Sequence, residues 1–234
     1  VEETGFGIPA DKEVKNRFAA VTLYEAIRDE KTHGVLAEDK ERKIIDIGVP
    51  VGTVAGLVPS TNPTSTVIYK AMICLKAGNP IIFSPHPSAA GCIREAVNVV
   101  RRAAREAGAP EGSISCITTP TLEATRELMS HPDTRLILAT GGGAMVRAAY
   151  SSGTPAIGVG AGNGPAYLHE SADMDAAVGR VLDSKTFDNG TICASEQSVV
   201  VTRACERAAE QALRARGACI LSDADRAKLS KFIL

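Results

Sequence analysis

The strongest constraint on the fold is a regular alternation of short apolar runs with longer helical segments. The apolar runs are rich in β-branched residues and lie at 52–59, 80–85, 114–118, 135–141 and 155–160. Short strands that alternate with helices form βαβ units. The pattern therefore predicts an α/β fold with a doubly wound parallel sheet.

Helical spacing of apolar residues predicts the segments that connect these strands. Helices are expected at 63–78, 88–107 and 121–131, and a fourth opens at the glycines 141–143. An amphipathic helix is also expected ahead of the series, at 11–30.

After residue 160 the pattern changes at a glycine-rich segment, GAGNGP. We therefore place a domain boundary there, which separates residues 1–160 from residues 161–234. The second part is expected to hold a strand, a helix near 173–186, a strand at 197–202 and two terminal helices. Because it stops without a closing element, we expect it to be the first part of a second α/β domain. The first residue is not Met, so we also expect a truncated N-terminus.

Charge and cysteine usage argue against several classes of function. The formal net charge of −1 gives no support for a nucleic acid or an anionic membrane as partner. No apolar run approaches the roughly 20 residues that span a bilayer, and the N-terminal segment lacks a signal-peptide pattern. The six cysteines form no CxxC pair. We therefore expect reduced thiols, no metal site and a cytoplasmic setting.

Ligands of a doubly wound sheet bind at the carboxyl ends of its strands, where loops lead into helices. This rule selects the loop after Pro59, the loop after Phe83 and the glycine turn at 141–143.

Asn62 lies in the first of these loops, in the segment PSTNPTST (59–66). An amide held there can donate a hydrogen bond to an oxyanion. Alternatively, Asn62 or Thr64 caps the next helix, with Pro63 in its first turn. The residues alone leave both roles open, and the two can coexist.

The other two loops give weaker signals. His86 lies between prolines, which favour an extended backbone, but a lone histidine is usually a surface or capping residue. TGGGAMV (140–146) opens a helix, where glycines let backbone N–H groups approach an anion. Because it matches neither the GxGxxG nor the Walker A pattern, tight helix–strand packing explains it equally well.

The segment FDNGTICASEQ (187–197) places Cys193 in a polar loop. A disulfide or a metal site would need partners that are not nearby. Burial as a small apolar residue is a serious alternative, because free cysteines are often interior. The polar neighbours from Asp188 to Glu196 favour a reactive thiol.

Taken in order, these motifs resemble the aldehyde dehydrogenase superfamily. They are most similar to its CoA-acylating branch, which includes acetylating acetaldehyde dehydrogenases and the aldehyde dehydrogenase half of bifunctional aldehyde–alcohol dehydrogenases. The matching segments are EETGFG…DKEVKN (2–16), PSTNPTST (59–66), AGNPIIFSPHPSA (77–89), ATGGGAMV (139–146), GVGAGNGP (158–165) and FDNGTICASEQ (187–197). The resemblance covers nearly the whole chain and implies a Rossmann-like cofactor domain followed by part of a catalytic domain.

The resemblance also implies residue roles. Cys193 matches the catalytic nucleophile and Asn62 the oxyanion-hole amide. Ser84 and His86 stand where hydrolytic members have a lysine and a glutamate that hold the adenosine ribose, so both NAD and NADP stay open. The implied cofactor-binding residues are Thr61, Ser84, His86, Pro87, Thr140, Gly141, Gly142, Gly143, Gly160, Ala161 and Gly162.

One absence separates the branches of the family. Hydrolytic aldehyde dehydrogenases carry a glutamate in the stretch that corresponds to GVGAGNGP, whereas here no Asp or Glu occurs between Asp133 and Glu170. Water without that general base attacks a thioester slowly, but a thiol needs less activation. The resemblance and the absence together predict NAD(P)-dependent oxidation of a short-chain aldehyde to acyl-CoA, and the reverse, with CoA as cosubstrate.

Two alternatives remain. A phosphorylating semialdehyde dehydrogenase, such as a glutamyl-phosphate reductase, shares the fold and the cysteine chemistry, although TNPTS and SPHP argue against it. The second alternative is that the chain is a catalytically incomplete nucleotide-binding fragment. The resemblance further implies small-molecule partners (an aldehyde, NAD(P) and CoA) and a homo-oligomer in the full-length protein, while the charge and the short apolar runs lead us to expect no nucleic acid and no membrane as partner. The expected location is cytoplasmic, either free or inside a bacterial microcompartment.

Overall fold

A computed structural model describes residues 1–233 of the chain. The polypeptide forms two compact units, Val1–Ala161 and Gly162–Leu234. The cofactor-binding role of the first part and the catalytic role of the second stay predictions. Within residues 1–233, no helix is both long enough and apolar enough to cross a membrane.

The first unit begins with a helical segment that differs from the single helix predicted at 11–30. It consists of α1 (Pro9–Arg17), a π-helical turn (Phe18–Thr22) and α2 (Leu23–Ile27). A π turn closes wider hydrogen-bonded rings than an α turn. It therefore rotates the side chains of α2 around the axis relative to those of α1.

An antiparallel hairpin follows and was not predicted from the sequence. Its strands are β1 (Gly34–Asp39) and β2 (Ile44–Gly48). The available signal was a pair of short runs with apolar residues, GVLAED and IIDIG, on either side of a charged turn. Val35, Ile45 and Ile47 are exposed, so the hairpin lacks the one-sided burial that makes a strand pattern easy to recognise.

A parallel five-stranded sheet forms the centre of the first unit and confirms the predicted fold class. Its strands are β3 (Thr53–Val58), β4 (Ile81–Pro85), β5 (Ile114–Cys116), β6 (Thr134–Thr140) and β7 (Ala156–Val159). Their order is β5-β4-β3-β6-β7, and all neighbours are parallel. The chain winds outward from β3 to β5 and then crosses back to β6, so the switch point lies between β3 and β6.

Helices cover both faces of this sheet: α3 (Pro63–Lys76), α4 (Ala90–Glu106), α5 (Leu122–Ser130) and α6 (Gly143–Tyr150). Successive side chains of a strand point to opposite faces. Val58 and Phe83 accordingly pack with α3 and α4 on one face, whereas Leu57 and Ile137 pack with α5 and α6 on the other. Each such side chain contributes about 1.5–3 kcal/mol when fully buried.

Gly78 and Asn79 join α3 to the sheet. Gly78 has φ +72°, the left-handed conformation that commonly ends a helix. The Asn79 side chain is buried, and its Oδ1 accepts hydrogen bonds from the N–H groups of Val51 and Gly52 at 2.7 and 3.0 Å. These bonds hold the entry to β3 against the end of α3, so this part of the AGNP motif has a structural role.

The second unit is a βαβ element followed by two helices. The parallel strands β8 (Gly164–Leu168) and β9 (Glu196–Val201) are connected through α7 (Met174–Thr186), and α8 (Arg203–Ala215) and α9 (Asp223–Ile233) follow. Asp173 caps α7 by accepting the N–H of Ala176 at 3.1 Å. Val178 of α7 and Cys205 of α8 are buried, because each helix turns its apolar face inward.

Candidate functional site

Two of the predicted loops flank the switch point of the sheet. The loop that contains Asn62 follows β3, and the glycine turn at 141–143 follows β6. Since β3 and β6 are adjacent and parallel, the two loops leave the same edge of the sheet side by side. This is the place where doubly wound sheets bind ligands.

Asn62 precedes α3 in a non-helical conformation, with φ −135° and ψ 58°. Its side chain does not cap the helix, and Pro63 occupies the first helical position. Instead, Asn62 Oδ1 accepts a hydrogen bond from Lys15 Nζ at 2.7 Å. The sequence left two roles open for Asn62, helix capping and donation to an oxyanion. The structure shows that the Asn62 side chain does not cap α3.

The glycine turn has an open backbone. Apart from Gly142 itself and its two chain neighbours, no atom of the described residues lies within 4 Å of the position that a Cβ would take on Gly142, and Gly142 immediately precedes α6. Gly141 N–H donates to Val159 O at 3.2 Å, which ties the turn to the end of β7. Thr140 Oγ1 lies 3.2 Å from Tyr69 Oη on α3. Gly160 is close to this turn, since a Cβ on it would lie 3.9 Å from Gly141 O.

The third loop, at the end of β4, is held by its own side chains. Ser84 is buried, and its hydroxyl lies 2.8 Å from the Thr125 hydroxyl on α5. His86 Nδ1 accepts the N–H of Ser88 at 3.2 Å, and Pro87 begins a 3₁₀ turn over Pro87–Ala89. The structure thus gives Ser84 and His86 internal partners beside the cofactor contacts that the resemblance implies.

Glu3 is a feature of this region that was missed from the sequence. Its carboxylate oxygens accept the N–H groups of Gly91 and Cys92 at 2.8 and 2.6 Å. These are N–H groups of the first turn of α4, which have no partner within the helix. The same two hydrogen bonds hold the pKa of the Glu3 carboxyl below its ordinary value.

Lys70 is a second feature that was missed. It is 1% exposed, and its ammonium donates to Leu57 O and Leu138 O, both at 2.7 Å. Lys70 therefore ties β3 to β6 at the switch point. Burial lowers the pKa of Lys70 to about 7. A lysine inside an otherwise apolar helical run was the available signal.

Cys193 lies in an exposed loop of the second unit, between a 3₁₀ turn (Phe187–Gly190) and β9. Asp188 and Asn189 have φ values of 52° and 54°, which non-glycine residues rarely adopt. The buried Asp188 carboxylate accepts the Thr191 hydroxyl at 2.6 Å. On the other side of the cysteine, the buried Ser195 hydroxyl donates to Ile192 O at 2.9 Å. The thiol is thus presented between two anchored residues.

Most of the other cysteines are more buried than Cys193. Cys74, Cys92 and Cys116 belong to the first unit, and burial raises the pKa of each thiol to about 11. Cys205 is buried, whereas Cys219 is exposed like Cys193. Cys193 is therefore an exposed cysteine whose loop is held on both sides by polar contacts, at Thr191 and at Ser195.

Gly162 contacts the cysteine loop directly. A Cβ on Gly162 would lie 1.9 Å from Cys193 O, so any other residue at this position collides with the backbone of the candidate nucleophile. Gly162 was predicted as a cofactor-binding residue, and the contact gives it a packing role in addition. Ala161, the other predicted residue here, ends the first unit.

Comparison with known proteins gives concordant results. The bifunctional aldehyde-alcohol dehydrogenase AdhE of Escherichia coli (strain K12) is 53% identical over 94% of this chain and 25% of its own length. The solved structure of an acetylating aldehyde dehydrogenase from Geobacillus thermoglucosidasius has a TM-score of 0.93 and 54% identity, over 100% of this chain and 52% of that one.

A more distant structure is a propionaldehyde dehydrogenase from Rhodopseudomonas palustris with bound CoA and an acylated cysteine. It has a TM-score of 0.83 and 32% identity, over 100% of this chain and 53% of that one. The chain thus spans about a quarter of the E. coli relative and about half of the two structures. Residues 6–224 match the aldehyde dehydrogenase family, and the chain therefore belongs to that family.

Proposed function

We propose that the protein oxidises a short-chain aldehyde to acyl-CoA, and catalyses the reverse reaction, with NAD(P) as cofactor and Cys193 as nucleophile. The observation that carries this proposal is the exposed Cys193 thiol in a loop anchored at Thr191 and Ser195. The acylated cysteine and bound CoA of the R. palustris relative support the same chemistry.

In the proposed first step, the Cys193 thiolate attacks the aldehyde carbon and forms a hemithioacetal. The oxyanion takes hydrogen bonds from the Asn62 amide and from the Cys193 backbone N–H. Removing one such donor typically raises the barrier by about 2.7–4 kcal/mol. Oxidation of this adduct leaves a thioester on Cys193.

The residues of the switch point fit a dinucleotide, because Gly142 leaves the backbone open and α6 begins immediately behind it. We propose that Thr140 and Gly141–Gly143, with Thr61 and Gly160, hold its pyrophosphate side. The β4 loop with Ser84, His86 and Pro87, and the segment Ala161–Gly162, complete the proposed binding set. Bound there, the nicotinamide would accept the hydride.

The proposed acyl acceptor is CoA. The stretch between Asp133 and Glu170 contains no Asp or Glu, so it lacks the carboxylate that activates water in hydrolytic members of the family. The CoA thiol needs no such base to attack the Cys193 thioester, since a fraction of free thiol is already ionised to thiolate near neutral pH. Exchange between two thioesters is nearly balanced, which explains why both directions are proposed.

The test compares Cys193→Ala with Cys219→Ser, because both cysteines are exposed in the second unit. Turnover is measured on the full-length protein, which here means a protein that contains residues 1–234 and has the length of the solved family members. We expect CoA-dependent NADH formation to be lost in Cys193→Ala and retained in Cys219→Ser. Retained activity in Cys193→Ala would refute the nucleophile.

Adding CoA or inorganic phosphate separately distinguishes the alternatives. NADH formation with phosphate alone would favour the phosphorylating semialdehyde dehydrogenase. Nucleotide binding without turnover in the full-length protein would favour a non-catalytic nucleotide-binding role. The same assay with NAD and NADP assigns the cofactor.

The finer proposals on assembly and location rest on the family. We propose a homo-oligomer in the full-length protein and a cytoplasmic location, free or inside a bacterial microcompartment. Sedimentation of the full-length protein and its fractionation from the source cells test these two proposals.

A further inference from the structure

Three hydrogen bonds of helix α1 reach the loop after β3 and the first turn of α3. Each contact joins a polar side chain of the segment DKEVKN to the segment TNPT, which carries the proposed oxyanion amide. The contacts are Lys12 Nζ to Thr61 O at 2.5 Å, Lys15 Nζ to Asn62 Oδ1 at 2.7 Å, and the Thr64 hydroxyl to Asn16 Oδ1 at 2.7 Å. Residues three and four apart share one face of a helix, so a single face of α1 makes all three.

Lys15 differs from Lys12 in what it holds. Lys15 is buried, with 8% of its surface exposed, and it contacts the side chain of Asn62. Lys12 donates to a backbone group of this segment, the carbonyl oxygen of Thr61. The Lys15 contact therefore acts on the amide group itself, whose Nδ2 lies 3.5 Å from Thr61 Oγ1.

The chemistry of the pair determines that orientation. A lysine ammonium has three donors and no acceptor, so it faces the oxygen of an amide and not the nitrogen. With Asn62 Oδ1 held by Lys15, the NH₂ group is directed to the opposite side. A flipped amide would present its oxygen to an oxyanion and repel it. A cation on the oxygen also polarises the amide, which strengthens its N–H groups as donors.

We propose that Lys15 is a positioning residue that sets the orientation and donor strength of the Asn62 amide in the oxyanion site. The proposal rests on the proposed role of Asn62. It gives the DKEVKN motif a function in the reaction, which Lys15 exerts through Asn62.

The test is Lys15→Met in the full-length protein, which keeps the length of the side chain and removes the donor. We expect kcat for CoA-dependent aldehyde oxidation to fall about 10- to 100-fold, less than the about 10²- to 10³-fold loss expected for Asn62→Ala. The rate of Cys193 alkylation by iodoacetamide should not change, because that displacement forms no oxyanion. Loss of both rates together would indicate a disrupted loop and would overturn the proposal.

Two comparisons separate positioning from a merely structural role. In the Asn62→Ala background, Lys15→Met should change kcat by less than about threefold, since coupled residues are not additive. The matched control is Lys12→Met, whose effect should be the same with and without Asn62. Losses from Lys15→Met that multiply with those from Asn62→Ala would overturn the proposal.

Lys15→Arg keeps the test decisive if Lys15→Met does not fold. Arginine also has donors only, so we expect kcat within about tenfold of the wild type, and a loss as large as that of Asn62→Ala contradicts the proposal. If Asn62→Ala itself keeps full activity, the proposed role of Asn62 fails. If Asn62→Ala is impaired and Lys15→Met is not, the inference about Lys15 fails alone.

Discussion

Gly162→Ala tests the geometry of the Cys193 loop most directly. A Cβ at Gly162 would lie 1.9 Å from Cys193 O and 2.9 Å from its carbonyl carbon. Real Cβ atoms essentially never approach other atoms to within 3.0 Å, so the two backbones must separate by at least 1.1 Å. Because the obstructing atoms belong to the backbone, no rotation of a side chain relieves the overlap.

A displacement of this size has a calculable effect. Misplacing a reacting group by about 1 Å costs about 10²-fold in rate, which corresponds to about 2.7 kcal/mol of activation free energy. Overpacking of this kind also lowers folding stability by about 1–3 kcal/mol. We therefore expect a folded variant whose kcat is reduced about 10²-fold.

The assay measures CoA-dependent NADH formation in the full-length protein and iodoacetamide alkylation of Cys193. Gly164→Ala is the matched control, because its Cβ would lie 3.7 Å from Ser195 O, an ordinary contact. We expect the control to keep kcat within about twofold. Wild-type turnover together with wild-type alkylation in Gly162→Ala would refute the reasoning.

Three further predictions concern the buried Lys70, the helix-capping Glu3 and the exposed cysteines. Burial lowers the pKa of Lys70 from 10.5 to about 7, so the unfolded chain binds more protons between these values and stability rises with pH. Relative to Lys70→Met, the free energy of unfolding of the wild type should rise by about 2 kcal/mol from about pH 7 to about pH 8.5. Urea unfolding measures this, and the prediction is wrong if both proteins show the same pH dependence. Glu3→Gln should cost no more than about 1 kcal/mol at neutral pH, because the exposed carboxylate is screened by solvent. Since the pKa of Glu3 is lowered from 4.5, this difference should be present above that value and vanish as the pH falls below it, which thermal unfolding at several pH values measures. Iodoacetamide at neutral pH should label Cys193 and Cys219 first, since both are exposed, and peptide mapping that finds a buried cysteine labelled first would contradict the structure.

The parallel sheet was predictable because its signal is local. Each strand is a short apolar run, and each helix carries its own periodicity, so a window of neighbouring residues contains the information. The hairpin β1–β2 was missed because its exposed apolar side chains, such as Val35 and Ile47, show no buried face. The π turn at Phe18–Thr22 was missed because it is a single turn inside a run that otherwise has the pattern of one α-helix.

The candidate site was predictable only in part. The polar surroundings of Cys193 favoured a reactive thiol from the sequence, and the structure places that thiol at the surface. The side-chain role of Asn62 stayed open, because its partner Lys15 is 47 residues away in the chain. Glu3 and the first turn of α4 are 88 residues apart, and no local pattern connects them.

The sequence by itself determined the alternation of strands and helices in the parallel sheet, the carboxylate-free stretch and the motifs typical of the aldehyde dehydrogenase family, since these depend on the identity and spacing of neighbouring residues. The tertiary structure alone decided that Lys15 faces the oxygen of Asn62, that Lys70 joins β3 to β6, and that Gly162 leaves room for the Cys193 carbonyl. These contacts join distant parts of the chain, and their energies depend on distances that exist only after the chain has folded.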